Sequence, residues 1–335
     1  MVNLIDIIDN VRVRNVITGI DGQDGRILSA ILKEMGEEVF GIARDWTSAT
    51  NESCIIPPRV DISNEEEFAD FLDLIQPKRI FHLAASHANA VDMHSHGEKN
   101  NNEMLVIHGD ATRFILEWQK KKLDLQSHAV IALSSQIYTS NSPLMIVKED
   151  EPLRPRTKYG ESKQLALEYI REYRNAFGVR ASGAILFNHS SIHSKPSFVL
   201  HELARQIALV IKYDKRILKL RDFDASLDIS DAFYICEGMN RMARMATGSE
   251  YILSSGIATN LRNLTNRSLA AFGITNHIQL ISTNPEESEH KTLIGNPSKA
   301  SHELKWKPPE NPIELMMELV EFYLAMNQKG DSSET

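Results

Sequence analysis

Cysteine is nearly absent from this chain, with two among 335 residues. Cys54 and Cys236 stand far apart and in no metal spacing. This excludes a disulfide framework or a cysteine zinc site, and implies reduced thiols in a cytoplasmic protein. No apolar run approaches the length of a membrane span. Positive charge is also in deficit: the formal net charge is -8 and the acidic residues are dispersed. A nucleic-acid surface needs a basic stripe, so that class of partner is excluded, whereas a few local Arg or Lys can still hold a small anionic substrate. The leader "MVNLIDIIDNVRVRN" carries acids within its apolar run and does not read as a signal peptide. There is no internal repeat and no low-complexity segment.

What is present is alternation. Strand-like runs at Arg14–Ile20, Glu37–Arg44, Arg59–Ser63, Lys78–Ala85, His128–Ser135 and Val179–Phe187 are apolar enough to be buried on both faces. Amphipathic helical patterns separate most of them: Gly25–Gly36, Asn64–Pro77, about Asn101–Lys122, and Ser162–Gly178. That rhythm predicts an α/β fold, a doubly wound parallel sheet of the Rossmann type. After Phe187 the rhythm changes. A loop, a helix at Phe198–Ile211, paired short strands over Lys215–Asp231, and further helices predict a smaller C-terminal substrate-binding domain. The expected organisation is an N-terminal extension over 1–13, a cofactor domain over 14–187, a substrate domain over 188–327 with some segments returning to the first, and a flexible tail over 328–335.

Between the first strand and first helix lies "GIDGQDG". Gly19, Gly22 and Gly25 permit a tight turn and a close backbone approach to a pyrophosphate, which the free N–H groups of the helix start then face. Gln23 and Asp24 lie within that loop. At the end of the second strand an acid would bond a ribose 2′-hydroxyl and an arginine would pair with a 2′-phosphate. Arg44 directly follows the apolar run, ahead of Asp45. NADP(H) is therefore favoured, with NAD(H) possible. Asp61 and Ile62 are placed to meet the adenine edge.

"YGESK" puts Tyr159 and Lys163 four residues apart on one helical face. A nearby ammonium favours the phenolate and so lowers the tyrosine pKa. Ser134, at a strand end, can bond the same substrate hydroxyl. Together they can move a proton from an alcohol while its carbon loses hydride to the cofactor.

With these residues in place, the chain resembles the extended short-chain dehydrogenases/reductases of the nucleotide-sugar branch, and is most similar to the GDP-mannose 4,6-dehydratase family. "ITGIDGQDG", "YGESK", "GAILFNH", "FDAS" and "LKWKP" occur in that family's order, over about residues 14 to 325. The resemblance implies bound NADP, oxidation at sugar C4, a nucleotide-sugar substrate, and a homodimer or homotetramer. It places Leu83, Ala84, Ala85, Leu186 and His189 at the cofactor, and Ser86, His87, Asn188 and Ser197 at the substrate, where Lys195 and Arg221 are also expected from their nearness in the same domain.

The departures from the family matter as much. The family's strand-end Thr-Ser-Glu is Ser134-Ser135-Gln136 here. The family's glutamate removes the C5 proton, and an amide cannot. An arginine that would pair with the diphosphate is Leu227. A second loosely corresponds to Glu286, and Arg221, Lys195 or Lys219 are placed to compensate. The expected activity is hydride transfer at C4 without dehydration, as a dehydrogenase, ketoreductase or epimerase. A dehydratase with a relocated base, His87 or His189, and a catalytically silent partner subunit stay open. His82, His87, His94 and His96 lack metal spacing, so no metal is expected. Lys120–Lys122 reads as a solvated helix end. The apolar face of the helix carrying Lys163 reads as partly core and partly dimer contact, and the leader as an oligomer arm.

Overall fold

The computed structural model describes residues 12–45, 51–57, 59–86, 97–140, 142–274, 277–284 and 291–331. Its first strand, β1 (Arg14–Thr18), is buried from its second residue onward. It is followed by α1 (Gln23–Glu34), β2 (Glu38–Ile42), α2 (Glu65–Ile75) and β3 (Arg79–His82). Next comes a helix in three parts: α3 (Gly97–Met104), a π-helical stretch (Leu105–Asp110) and α4 (Ala111–Lys121). Then follow β4 (His128–Ser134), β5 (Leu144–Val147), α5 (Lys158–Phe177) and β6 (Arg180–Leu186). The sheet order is β10-β6-β4-β3-β1-β2, all parallel, with β10 at Glu250–Leu253. β4 and β6 are buried along almost their whole length, as strands covered on both faces must be.

Local chemistry sets the helix ends. Asn64 accepts from the N–H groups of Glu66 and Glu67 at the start of α2, and three glutamates in its first turn suit the helix dipole. Gln76, in the left-handed conformation, closes it ahead of Pro77. The expected third strand, Arg59–Ser63, does not form. The Asp61 carboxylate accepts from both the N–H and hydroxyl of Ser63, and the Asp61 N–H donates to Glu67. These side chains satisfy groups a ladder would need. The chain beside β2 instead makes a single parallel bridge, Phe40 to Ile55.

The remaining elements are β7 (Asn188–Ser190), α6 (Val199–Tyr213), β8 (Ile217–Leu220), β9 (Ser226–Asp231), α7 (Ala232–Met242), β11 (Ala258–Asn260), α8 (Leu261–Ala271), β12 (Gln279–Ser282), β13 (Thr292–Gly295), α9 (Ser298–Glu303) and α10 (Ile313–Asp331). The expected pairing within Lys215–Asp231 is not found. β8 pairs with β12, while β9 lies between β7 and β11. Between β8 and β9, Asp222 accepts from the Asp224 N–H, and Arg262 binds Asp224 through two nitrogens, so the chain turns away from β8 rather than back along it.

Contacts divide the chain into two units. The first comprises residues up to Ile137 with Leu153–Ile185 and Cys236–Tyr251; the second comprises Tyr138–Pro152, Leu186–Ile235 and Ile252 onward. The second has its own core, in which Leu203, Ala204 and Ile207 of α6 pack with Leu264 of α8 and with Met316, Leu319 and Val320 of α10. α10 runs through Asp331, into the segment expected to fray. Residues 1–11 of the expected oligomer arm lie outside the described residues.

Candidate active site

The glycine loop is built by close approach. Gly19 has φ +74°, and a Cβ there would sit 2.8 Å from the Ala84 nitrogen. One on Gly25 would sit 2.4 Å from the Gly19 carbonyl oxygen. Only glycine fits these two positions without moving backbone. Gly22 is the N-cap of α1 and supplies no side-chain cap, and the Gln23 amide donates to the Asp24 carboxylate. A glycine cradle ahead of an uncapped helix suits a pyrophosphate. Leu83 and Ala84 donate their N–H groups to the Thr18 carbonyl and hydroxyl, tying the end of β3 to the loop, and Ala85 follows half-buried. Arg44 and Asp45 are both exposed just past the end of β2. The Asp61 carboxylate is held below the usual range by Ser63, and Ile62 is buried.

Thr157 caps α5: its hydroxyl accepts from the Gly160 N–H at 3.0 Å and donates to Gln136 Oε1 at 2.9 Å. That cap starts the helix at Lys158, so Tyr159 stands in its first turn and Lys163 one turn on. Ser134 ends β4, and its hydroxyl bonds the Tyr159 phenol while also accepting from the Gln136 N–H. Ser135 begins the short 3₁₀ turn that carries Gln136 and Ile137. Lys163 is 2% exposed; its Nζ donates to the Ala132 carbonyl at 2.8 Å and lies 5.8 Å from the Tyr159 ring centroid. The structure thus brings Ser134, Gln136, Tyr159 and Lys163 together at the end of β4 and the start of α5.

Their electrostatics differ from expectation. Burial pushes the Tyr159 phenol up to about 12, against the opposing hydrogen bond from Ser134. Burial also pushes Lys163 down to about 7. The Lys163 ammonium is not among the influences on the phenol; loss of water governs both groups.

Two buried histidines under this site were not singled out as site residues from sequence. His82 donates from Nε2 to the Ile107 carbonyl and accepts at Nδ1 from Thr18, whose hydroxyl in turn accepts from Ala84. Burial, then the Lys163 charge, pushes His82 down to about 4. His108 meets both Ser86 and Ser162. Ile107 and His108 both belong to the π-helical stretch, which periodicity cannot reveal. The available signal was the polar and glycine break His108-Gly109-Asp110 directly after the apolar run Met104–Ile107.

In the second unit, Asn188 and His189 lie on β7, paired with β9, and His189 Nδ1 donates to the Phe187 carbonyl. Leu186 is buried; Asn188, Lys195, Ser197 and Arg221 are exposed. Beside Leu227, Asp228 is fully buried and accepts from the Ser255 N–H and hydroxyl, the Gly256 N–H and the Gly295 N–H. It therefore ties β9 to the loop after β10 and to the end of β13 as structure. His87, His94, His96 and Glu286 lie outside the described residues. Among the described residues, no three His, Cys, Asp or Glu side chains could hold a metal, and no helix is long and apolar enough to cross a membrane.

A parallel sheet with this glycine loop, and with a serine, tyrosine and lysine converging at the end of β4, defines an enzyme of the short-chain dehydrogenase/reductase class, in its nucleotide-sugar epimerase/dehydratase branch. Comparison with known proteins agrees. The family model described as GDP-mannose 4,6 dehydratase matches residues 16–319. GDP-mannose 4,6 dehydratase 1 of Arabidopsis thaliana is 28% identical over 312 residues, covering 88% of this chain and 84% of the relative. RMD from Pseudomonas aeruginosa, solved with NADPH, is 20% identical with a TM-score of 0.73, covering 93% of this chain and 99% of that one. UDP-glucose 4-epimerase of Thermotoga maritima, solved with UDP-glucose, is 16% identical with a TM-score of 0.76, covering 94% and 99%. The chain belongs to the GDP-mannose 4,6 dehydratase family.

Proposed function

We propose that this protein uses NADP(H) to move hydride at C4 of a nucleotide-linked sugar, as a dehydrogenase, ketoreductase or epimerase, and does not expel water. The observation that carries this reading is the side chain at 136. Gln136 occupies the strand-end position beside Ser134 and Tyr159, and its carbonyl oxygen holds the helix cap at Thr157. An amide in that place can neither remove nor return a carbon-bound proton near neutrality. Ser134, Tyr159 and Lys163 keep the groups that proton movement at an alcohol needs. The glycine cradle supports a dinucleotide, and Arg44, exposed at the tip of β2, supports the 2′-phosphate form. The nucleotide sugars in the names of the relatives support the substrate class.

When bound, the nicotinamide supplies or accepts hydride. Ser134 and Tyr159 orient the C4 oxygen and hold its proton, and Lys163, held by the Ala132 carbonyl, stands beside the tyrosine ring. A second reading, dehydration with a base elsewhere, is favoured by the family match alone. Incubation with NADP+ or NADPH and a panel of nucleotide sugars separates the two. The expected result is hydride transfer, abolished in Tyr159→Phe, with products that retain all their water. A product lighter by one water overturns the first reading.

A further inference from the structure

We propose that His108, in its Nδ1–H form, is a positioning residue that sets the place of Tyr159 through Ser162. The hydrogen-bond directions leave little freedom. The Ser86 N–H can only donate, so His108 Nε2 accepts from it, at 3.2 Å. The ring proton is then on Nδ1 and donates to Ser162 Oγ at 2.8 Å. The Ser162 hydroxyl donates in turn to the Tyr159 carbonyl at 2.8 Å. The same imidazole stands edge-on to the Tyr159 ring, with centroids 5.3 Å apart and planes at 88°. His108 and Ser162 are both fully buried. One side chain therefore touches Tyr159 through its ring and, by way of Ser162, through its backbone.

The π-helical stretch explains how a helix offers this residue. A π turn adds a residue to the helical repeat and rotates the residues after it, and such turns recur at functional sites. Here it sends the Ile107 carbonyl to His82 and the His108 ring to Ser86 and Ser162. The His108 carbonyl accepts from the Thr112 hydroxyl at 2.6 Å, holding the turn from its C-terminal side. The chain of contacts thus joins the end of β3 to the first turn of α5. Ser86 was expected at the substrate; its backbone here anchors the positioning group.

The kinetic arm rests on the proposed hydride chemistry; the spectroscopic arm does not. The full-length protein labelled at tyrosine Cζ gives a Tyr159 resonance assigned by its loss in Tyr159→Phe. In His108→Leu and in Ser162→Ala that resonance should move. In His108→Gln, whose amide can both accept and donate, it should return towards the wild-type position. The double variant His108→Leu/Ser162→Ala should shift no further than His108→Leu alone, since both act along one chain. With GDP-mannose and NADP+, kcat in His108→Leu should fall between about tenfold and a hundredfold, as a misplaced reacting group requires, with KM unchanged and partial recovery in His108→Gln. An unmoved Tyr159 resonance in His108→Leu, or in Ser162→Ala should His108→Leu not fold, overturns the inference. So does unchanged kcat in a protein whose Tyr159→Phe variant is dead. Turnover that survives Tyr159→Phe instead overturns the proposed function, and the resonance still decides His108.

Discussion

Gln136→Glu is the most informative single change, because the structure lets chemistry and stability be separated. The amide oxygen of Gln136 accepts from Thr157 at 2.9 Å, and Thr157 caps α5 through the Gly160 N–H. A carboxylate oxygen can accept the same bond. The side chain at 136 is exposed, so it needs no costly desolvation of the new charge. A negative charge beside the start of a helix is favourable by about 0.3 to 1 kcal/mol. The variant should therefore melt at or slightly above the wild-type temperature. Gln136→Leu, which cannot accept from Thr157, should lose about 0.5 to 1.5 kcal/mol.

The catalytic gain is larger. A positioned general base contributes roughly 10² to 10⁴ in rate. At about 1.4 kcal/mol for each tenfold, that is roughly 3 to 5 kcal/mol of barrier. Gln136→Glu incubated with GDP-mannose and catalytic NADP+ should gain a product lighter by one water, with solvent deuterium entering the sugar. Mass spectrometry measures both. A variant that folds, still exchanges hydride and loses no more water than wild type would show that residue 136 does not control elimination.

Two further outcomes test the frame of the site. Gly19→Ala should weaken NADPH binding at least about tenfold in a fluorescence titration, since positive φ costs a non-glycine residue about 1–2 kcal/mol and its Cβ would meet Ala84 backbone at 2.8 Å. Gly36→Ala has similar φ, +75°, but open space around it, so it should lower stability and leave the dissociation constant alone; equal effects on binding would refute the cradle. Burial lowers His82 and His128 from 6.5 to about 4 in the folded protein, so the unfolded chain binds more protons between those values and stability falls as pH falls through that window. Urea midpoints should drop from pH 6.5 to 5, above the main carboxylate range, and His128→Gln should show a shallower drop; a flat profile would refute the burial argument.

Much of the first unit was legible because its signals are local. Glycine spacing, the Asn64 cap and the buried strand runs are each readable within a few residues, and Tyr159 and Lys163 share a helix face by arithmetic. What was not legible depends on partners distant in sequence. Val60 and Ile62 give Arg59–Ser63 a strand-like pattern, yet Glu67 takes the Asp61 N–H. β8 and β9 follow one another, yet each pairs elsewhere. The Lys163 charge reads as an activator of Tyr159 until its burial is known, and then desolvation governs both groups. His108 reads as a helix residue until the π turn aims it.

The departure at residue 136 becomes intelligible at the same level. A Cβ on Gly160 would lie 2.4 Å from the Gln136 carbonyl oxygen, so the strand-end turn and the first turn of α5 are in direct backbone contact. The Arg154 N–H donates to the Ile137 carbonyl at 2.8 Å from the segment leading into that helix. Backbone, not the side chain, therefore places residue 136 beside Tyr159. Both Gln and Glu offer an oxygen to Thr157, so the cap survives either. They differ in whether that position can take a proton. On the proposed function, a fold built this way can lose or regain elimination by one substitution while Ser134, Tyr159 and Lys163 stay where they are.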